Sequence, residues 1–179
     1  EGYTLKETEP KAGTTGTEVT AEPKSYTGFT FDNSVEGTVQ TGTIAGDGSL
    51  VLRLYYTRNS YKVTYTYEGT APEGASELPE EATYKYGASV EVAGNATAPG
   101  YTFSGWDSDN VEIAENEFTM PAQDVVITGR FTAKTDTAYK VEHYLQDLDG
   151  EGYTLKETEP KTGTTGTEVT AEPKSYTGF

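Results

Sequence analysis

The chain contains no cysteine, and it has one methionine, one tryptophan and one histidine among its 179 residues. Without cysteine it can form neither a disulfide bond nor a thiolate-bound metal site. With a single histidine, neither a Ser-His-Asp triad nor a Cys-His pair has evident parts. These absences remove the commonest kinds of nucleophilic active site.

Basic residues are also scarce. Lys and Arg together number 13 against 29 acidic residues, so the formal net charge is −16. Nucleic-acid and anionic-membrane binding require basic patches, so both partners are excluded. No apolar run approaches 18 residues, so no membrane insertion is predicted. There is no signal peptide and no initiator Met, so we expect any targeting signal to lie outside this sequence.

Aromatic residues are plentiful although the chain is polar. Hydrophobic residues make up only 34% of the sequence, yet aromatics reach 12%, and 14 residues are tyrosine. Disordered chains of this polarity are poor in aromatic and β-branched residues. We therefore expect a folded chain whose thin cores are closed by Tyr, Val and Phe.

A long repeat dominates the sequence. Residues Glu1–Phe29 read EGYTLKETEPKAGTTGTEVTAEPKSYTGF, and Glu151–Phe179 differ from them only by Thr162 in place of Ala12. The period is 150 residues, so the chain holds one whole unit and the start of the next. This period is far longer than that of a solenoid, and each unit should fold as one or two independent domains.

Period-2 alternation, typical of half-buried strands, recurs along the chain, and helical periodicity does not. It is clearest in Tyr61–Tyr67, Leu50–Tyr56 and Val125–Phe131, with Gly-, Pro- and Asp-rich turns between such runs. The one short helix candidate is Ser76–Ala82, with Pro79 in its first turn. The predicted fold is mainly β, α+β at most.

The 150-residue unit divides into two modules. Type A occupies residues 1–58 without its first strand and begins again at 139–179, whereas type B is complete at 61–133. Within them, Gly16–Val19 parallels Gly87–Val90, and Ser25–Asp32 parallels Gly100–Asp107, so the two types look distantly related. The linkers, Arg58–Ser60 and Lys134–Thr137, are short, which favours a semi-rigid, elongated arrangement.

Both module types resemble known repeats. Type B, with GYTFSGWD at Gly100–Asp107 and FTMPAQDVVITGRFT at Phe118–Thr132, resembles the internalin B-repeat and Listeria–Bacteroides repeat group, and is similar to the tandem repeats of streptococcal adhesins. Type A, with YKVEHYLQDLDGEGYTL at Tyr139–Leu155 and SYTGFTF at Ser25–Phe31, resembles the mucin-binding-protein (MucBP) repeat. These resemblances imply small β-grasp-like modules of Gram-positive surface proteins, secreted or attached to the cell wall. The lack of cysteine fits such a source.

Two acidic runs are the weak candidates for a metal site. They contain Asp107 and Asp109 in one case and Asp147 and Asp149 in the other. Alternating carboxylates can converge on calcium, but neither run has the EF-hand spacing, and Asx-turns explain both. We therefore predict no metal and no cofactor.

Other side chains that could carry chemistry have simpler explanations. His143 aligns with Tyr65 at an inward-facing strand position, and Trp106 is expected in the core rather than stacked on a sugar. A Lys–Asn or Lys–Asp isopeptide cross-link would need a buried acidic neighbour. A glycosidase would need a carboxylate pair in a cleft, which small modules scarcely provide. The chain is therefore not expected to be an enzyme.

The resemblances imply two functions. One is a structural stalk that projects a binding head from a bacterial surface, with neighbouring repeats as its partners. The other is an adhesive module that binds mucin glycans or a host protein. Because residues 1–58 lack the strand that matches Tyr139–Leu148, and 139–179 lack what matches Thr30–Thr57, head-to-tail strand exchange between chains is a further expectation beside membership of a longer array.

Overall fold

The computed structural model describes residues 2–178, and every regular element in that range is a β-strand, so the mainly β prediction is confirmed. The strands, in chain order, are β1 (Glu18–Thr20), β2 (Phe29–Phe31), β3 (Thr41–Thr43), β4 (Tyr56–Arg58), β5 (Ser60–Tyr67), β6 (Ala82–Lys85), β7 (Ser89–Glu91), β8 (Tyr101–Asp107), β9 (Glu117–Thr119), β10 (Val125–Ala133), β11 (Thr137–Gln146) and β12 (Tyr153–Gly163). Over the same residues, no helix has the length and apolarity that crossing a membrane requires.

The strands follow one pairing scheme twice. From β5 onward, the first strand pairs with the second (β5–β6), the third with the fifth (β7–β9) and the fourth with the sixth (β8–β10). The type A strands pair likewise as β11–β12, β1–β3 and β2–β4. Four strands form one sheet in the order β6-β5-β10-β8, so β5 has a neighbour on each edge. The shared scheme supports the distant relationship that the sequence predicts between the two types.

The described residues group into two compact units. Unit 1 contains the residues up to Thr64, with Glu81–Val92 and Asp109–Val126, and unit 2 contains Tyr65–Glu80, Ala93–Ser108 and the residues from Ile127 onward. These units do not follow the module boundaries 1–58, 61–133 and 139–179, which stay predictions.

Each unit has its own buried hydrophobic residues. Those of unit 1 are Val63, Val90, Val92, Phe118, Met120 and Val125. Those of unit 2 are Ala96, Ala98 and Ile127. Strand β10 shows the predicted alternation, because Val125 and Ile127 are fully buried whereas Val126 is exposed. Burying a Val, Ile or Met side chain contributes about 1.5–3 kcal/mol, so these few residues supply much of the apolar stabilisation.

One local prediction is wrong and another holds only in part. Ser76–Ala82 is not a helix: Ser76 N–H donates to the Thr97 carbonyl (2.8 Å), and the Tyr67 hydroxyl donates to the Ser76 carbonyl (2.9 Å). These bonds and Pro79, which disfavours helical geometry before it, hold the segment in a non-helical course. Residues Leu50–Leu54 alternate in burial, but before Tyr56, the first residue of β4, only Arg53 forms a bridge, to Val39, because the facing segment turns at Gly37 with φ +91°.

The two copies of the repeated segment differ in secondary structure. Residues 153–163 form β12, which pairs with β11 over its length. Residues 3–13, identical except for Ala12, belong to no strand and are exposed throughout. No backbone hydrogen bond of residues 3–13 is found within the described range. Because the sequences match, the presence of a partner strand decides the structure.

Candidate functional site: the joints between modules

The first joint lies in unit 1, where β4 passes into β5. The N–H of Asn59 donates to the Gly28 carbonyl (2.8 Å), and the Asn59 carbonyl accepts from the N–H of Tyr86 (2.8 Å). Gly28 directly precedes β2 and Tyr86 directly follows β6. A single linker residue therefore ties a turn of the first module to a turn of the second through backbone hydrogen bonds.

Side chains reinforce this joint. The Arg58 guanidinium donates to the Tyr86 carbonyl (2.8 Å), and its Cζ lies 5.0 Å from the ring centroid of Phe29. The Phe29 and Tyr86 rings meet edge to face at 5.8 Å. A cation–π contact and an aromatic pair each contribute on the order of 0.5–1.5 kcal/mol. Gly28 has φ +78°, and a methyl group there would come within 2.2 Å of the Tyr86 ring, so only glycine fits under this ring.

The second joint lies in unit 2, where β10 passes into β11, and its hydrogen bonds repeat those of the first. Lys134 N–H donates to the Gly100 carbonyl (2.9 Å), and the Lys134 carbonyl accepts from Thr165 N–H (2.9 Å). Gly100 also has φ +78°, and a methyl group there would lie 2.6 Å from Oγ1 of Thr165. The hydroxyls of Thr165 and Thr137 are hydrogen-bonded at 2.5 Å. Both joints thus use a linker residue, a left-handed glycine before a strand and a turn residue of the next module.

Sequence reasoning predicted the two short linkers but missed the residues that fix them. The structure places Gly28 opposite Gly100, which shifts the predicted parallel of Ser25–Asp32 with Gly100–Asp107 by three residues. The shared pattern of Gly, an aromatic residue, Thr and Phe, at residues 28–31 and 100–103, is the signal that could have found the joint.

Trp106 belongs to an aromatic cluster in unit 2. Its ring stacks on Tyr67 (centroids 5.7 Å apart, 14° between planes) and meets Tyr65 and Phe103 edge to face at 5.1 and 4.9 Å. Its indole N–H donates to the Gly94 carbonyl (2.9 Å). Phe131 completes the cluster, 5.0 Å from Phe103. The half-buried tryptophan therefore packs between strands, as predicted.

A Glu–Lys–Tyr cluster occurs once in each copy of the repeat. In the first cluster (Glu7, Glu9, Lys24, Tyr26), Lys24 Nζ lies 3.0 Å from Glu7 Oε1 and also contacts Glu9, and the Tyr26 hydroxyl donates to Glu7. Hydrogen bonds from Tyr26 and then Lys24 hold the pKa of Glu7 below its usual range, and the bond to Glu7 raises the pKa of Tyr26 to about 12.

The second cluster has the matching residues Glu157, Glu159, Lys174 and Tyr176. Lys174 Nζ lies 3.2 Å from Glu157 Oε2 and also contacts Glu159, and the Tyr176 hydroxyl donates to Glu157 (2.5 Å). Burial, followed by this hydrogen bond, raises the pKa of Tyr176 to about 12. The repeated segment therefore packs on its own lysine and tyrosine in the same way in both copies.

Of the four candidate calcium-binding aspartates, Asp107 ends strand β8 and Asp109 lies in the bend after it. Asp147 and Asp149 lie in the connection between β11 and β12. Asp107 Oδ1 accepts from Ser108 N–H (2.8 Å), and Asp149 Oδ1 accepts from Glu151 N–H (3.1 Å). Asp147 Oδ1 accepts from the Thr154 hydroxyl (2.7 Å). Asp109 is exposed. Nowhere in residues 2–178 do three or more acidic or histidine side chains form a group that could hold a metal ion.

His143 is half-buried in β11, as its place in the strand pattern predicts. Its ring centroid lies 6.1 Å from that of Tyr176, and its Nε2 has no hydrogen-bond partner in the described structure. No charged side chain is fully buried between residues 2 and 178. Within residues 2–178, therefore, no lysine lies in the buried acidic setting that an isopeptide cross-link needs.

A comparison with protein families matches residues 59–135 to the model described as the divergent InlB B-repeat domain. The match confirms the internalin B-repeat resemblance of this segment, which is less than half of the chain. The MucBP resemblance of type A stays a prediction. No curated protein and no solved structure matches the chain. Residues 59–135 thus carry the features of a surface-protein repeat module.

Proposed function

We propose that the chain is a spacer repeat of a bacterial cell-surface adhesin, in which β-grasp-like A and B modules alternate to form an elongated stalk. The observation that carries the proposal is the pair of joints, which fix successive modules by the same backbone hydrogen bonds. The B-repeat match of residues 59–135 supports a surface-protein repeat, and hence an extracellular location, secreted or attached to the cell wall. In this proposal the chain has no catalytic activity and no cofactor.

Small-angle X-ray scattering tests the stalk. Proteins carrying one, two and three 150-residue units should increase in maximum dimension by a constant amount per unit, because the corresponding joints of successive units have the same sequence and should make the same contacts. Modules on flexible linkers would instead extend roughly as the square root of their number. Growth of that kind would contradict the proposal.

A variant of the first joint provides the control. Arg58→Ala removes both the hydrogen bond to the Tyr86 carbonyl and the contact with Phe29. It should broaden the distribution of interatomic distances while leaving the circular dichroism of the strands unchanged. Arg53→Ala is the matched change, because Arg53 is an exposed arginine of the same unit that makes no contact with the joint.

The second candidate function is adhesion to glycans, which a shallow hollow in unit 2 favours. Tyr144 and Tyr153 line it and are 51% and 67% exposed, beside Gln146 and Lys174. Exposed aromatic faces with polar neighbours are suited to sugars.

In the first copy, however, Tyr56 packs against Tyr26 at 4.9 Å. Tyr176 corresponds to Tyr26 in the repeat, so the hollow beside Tyr176 is open only where no tyrosine corresponding to Tyr56 covers it. The stalk therefore remains the favoured function. Binding of one complete A–B unit on a glycan array or in a mucin pull-down would support adhesion. Clean negatives at millimolar glycan would remove it.

A further inference from the structure

Strands β5 and β10 are neighbours in the four-strand sheet, and their contacts show that they run in the same direction. Near the start of β5, in unit 1, the N–H of Lys62 donates to Oδ1 of Asp124 (2.8 Å), the residue directly before β10. Directly after the end of β5, in unit 2, the N–H of Glu68 donates to the Gly129 carbonyl (2.9 Å). The partners advance along both strands together, so the pair is parallel.

The same two strands connect the module to its neighbours along the chain. Strand β5 follows the first joint, at Asn59, and β10 leads into the second joint, at Lys134. A force that pulls along the chain therefore enters at the first residue of β5 and leaves at the last residue of β10. In a parallel pair, such a force acts along the strands, and every hydrogen bond between them carries part of the load at once. A force on two adjacent strand ends would instead break the bonds one after another.

The surroundings of the pair protect its hydrogen bonds from water. Val63 of β5 and Val125 of β10 are buried in unit 1, and Ile127 of β10 is buried in unit 2. The rings of Tyr67 and Phe131 lie 5.1 Å apart in the aromatic cluster. The outer edges of the two strands are paired with β6 and β8. Hydrogen bonds are stronger in such apolar surroundings than in water.

We propose that β5 and β10 form a clamp that bears tension, so that the module stays folded when the chain is pulled from both sides. The chain has no cysteine, so no disulfide bond can carry this load. Tension along the chain arises only if the chain is a stalk, and the clamp therefore rests on the proposed function. It adds a mechanical task, resistance to extension, to the spacing of a binding head from a surface.

Pulling the full chain in two directions in an optical trap tests the clamp. Because the chain has no cysteine, pairs of introduced cysteines define the points of attachment. Ser60→Cys with Lys134→Cys loads β5 and β10 along their length, whereas Ser60→Cys with Gln123→Cys pulls the starts of the two strands apart. All three side chains are exposed, so urea denaturation should give the two variants the same free energy of unfolding.

The two directions should differ in the force at which the module unfolds. The evenly spaced bonds of a parallel pair share a load along the strands, so we expect a roughly threefold higher force for the pair at residues 60 and 134. Equal forces in the two directions would overturn the proposal, as would a higher force for the pair at residues 60 and 123.

A matched pair of carboxylates on Lys62 provides the second test. Asp124 accepts the backbone N–H of Lys62 across the clamp, whereas Glu81 binds its Nζ (2.9 Å) beside the β5–β6 pair. Under load along the strands, Asp124→Ala should unfold about tenfold faster, because one hydrogen bond to a charged group is lost from the clamp. Asp124→Asn keeps an acceptor oxygen and should recover most of the loss. Glu81→Ala removes only an exposed ion pair and should change the rate less than about threefold.

The outcomes separate the clamp from the stalk. An unchanged unfolding rate in Asp124→Ala, or an equal increase in Glu81→Ala, would overturn the clamp and leave the scattering test of the joints unaffected. Growth of the maximum dimension as the square root of the number of units would remove the stalk, whatever the forces are.

Discussion

Substitution of Gly129 by alanine should destabilise the aromatic cluster of unit 2. Gly129 is buried in β10, and a methyl group there would lie 2.2 Å from Cζ of Phe103 and 2.9 Å from Cε3 of Trp106. Its φ lies outside the left-handed region, so alanine brings no backbone strain. The expected effect therefore comes from packing alone.

The size of the expected loss in stability follows from the side chains that the added methyl group displaces. Overpacking a filled site costs about 1–3 kcal/mol, and displacing Phe103 weakens its ring contacts with Trp106 and Phe131, worth about 0.5–1.5 kcal/mol each. The lower entropy of the unfolded chain with alanine returns about 0.4–1 kcal/mol. We expect a net loss of about 2 kcal/mol in the free energy of unfolding. For a module of this size, that lowers Tm by roughly 10 °C.

Urea denaturation followed by the fluorescence of Trp106, the single tryptophan, measures this loss. Gly94→Ala is the matched control, because Gly94 lies in the same unit with open space around its Cα, and it should be neutral or slightly stabilising. In Gly129→Ala/Phe103→Leu, the smaller side chain should recover part of the stability. An unchanged stability of Gly129→Ala, or no recovery in the double variant, would refute the packing argument.

Two further predictions concern unit 1 and the tyrosine clusters. Gly28→Ala should lower the free energy of unfolding by about 2–4 kcal/mol, through left-handed backbone strain and overlap with Tyr86. The control is Gly48→Ala, which has φ +71° and no atom within 4 Å, and it should lose only about 1–2 kcal/mol through the strain. Equal losses of the two variants in urea denaturation would contradict this. The raised pKa values of Tyr26 and Tyr176, about 12 against an ordinary 10.0, mean that their contacts are intact below pH 10 and are lost between about pH 10 and 12. In a titration followed by tyrosine absorbance, Tyr26→Phe and Tyr176→Phe should each remove one phenol that ionises at about pH 12. Loss of a phenol that ionises near pH 10 would contradict the hydrogen bond to the glutamate.

The sequence predicts strands well where burial alternates strictly. The runs Tyr61–Tyr67 and Val125–Phe131 become β5 and β10 because every second side chain faces apolar neighbours. Leu50–Leu54 shows the same alternation and yet forms little ladder, because pairing also depends on a distant segment with free backbone groups. Alternation reports burial, whereas the ladder requires a partner.

The repeated segment is the clearest limit on prediction. No rule applied to residues 3–13 and 153–163 separately could assign one to a strand and leave the other unpaired, since their sequences are nearly identical. The joints were missed for a related reason. Their hydrogen bonds join backbone atoms, which leave no mark on the sequence except the glycines, Gly28 and Gly100, that allow the close approach.

The common backbone scheme of the two joints has a consequence for how an array changes in length. Donors and acceptors at a joint are peptide groups, so most substitutions of Asn59 or Lys134 leave them in place. In the proposed stalk, recombination between near-identical repeats would remove or add whole 150-residue periods. Each product would retain a left-handed glycine, a linker residue and a turn residue at every new junction. Copy number can then vary without any new interface having to evolve.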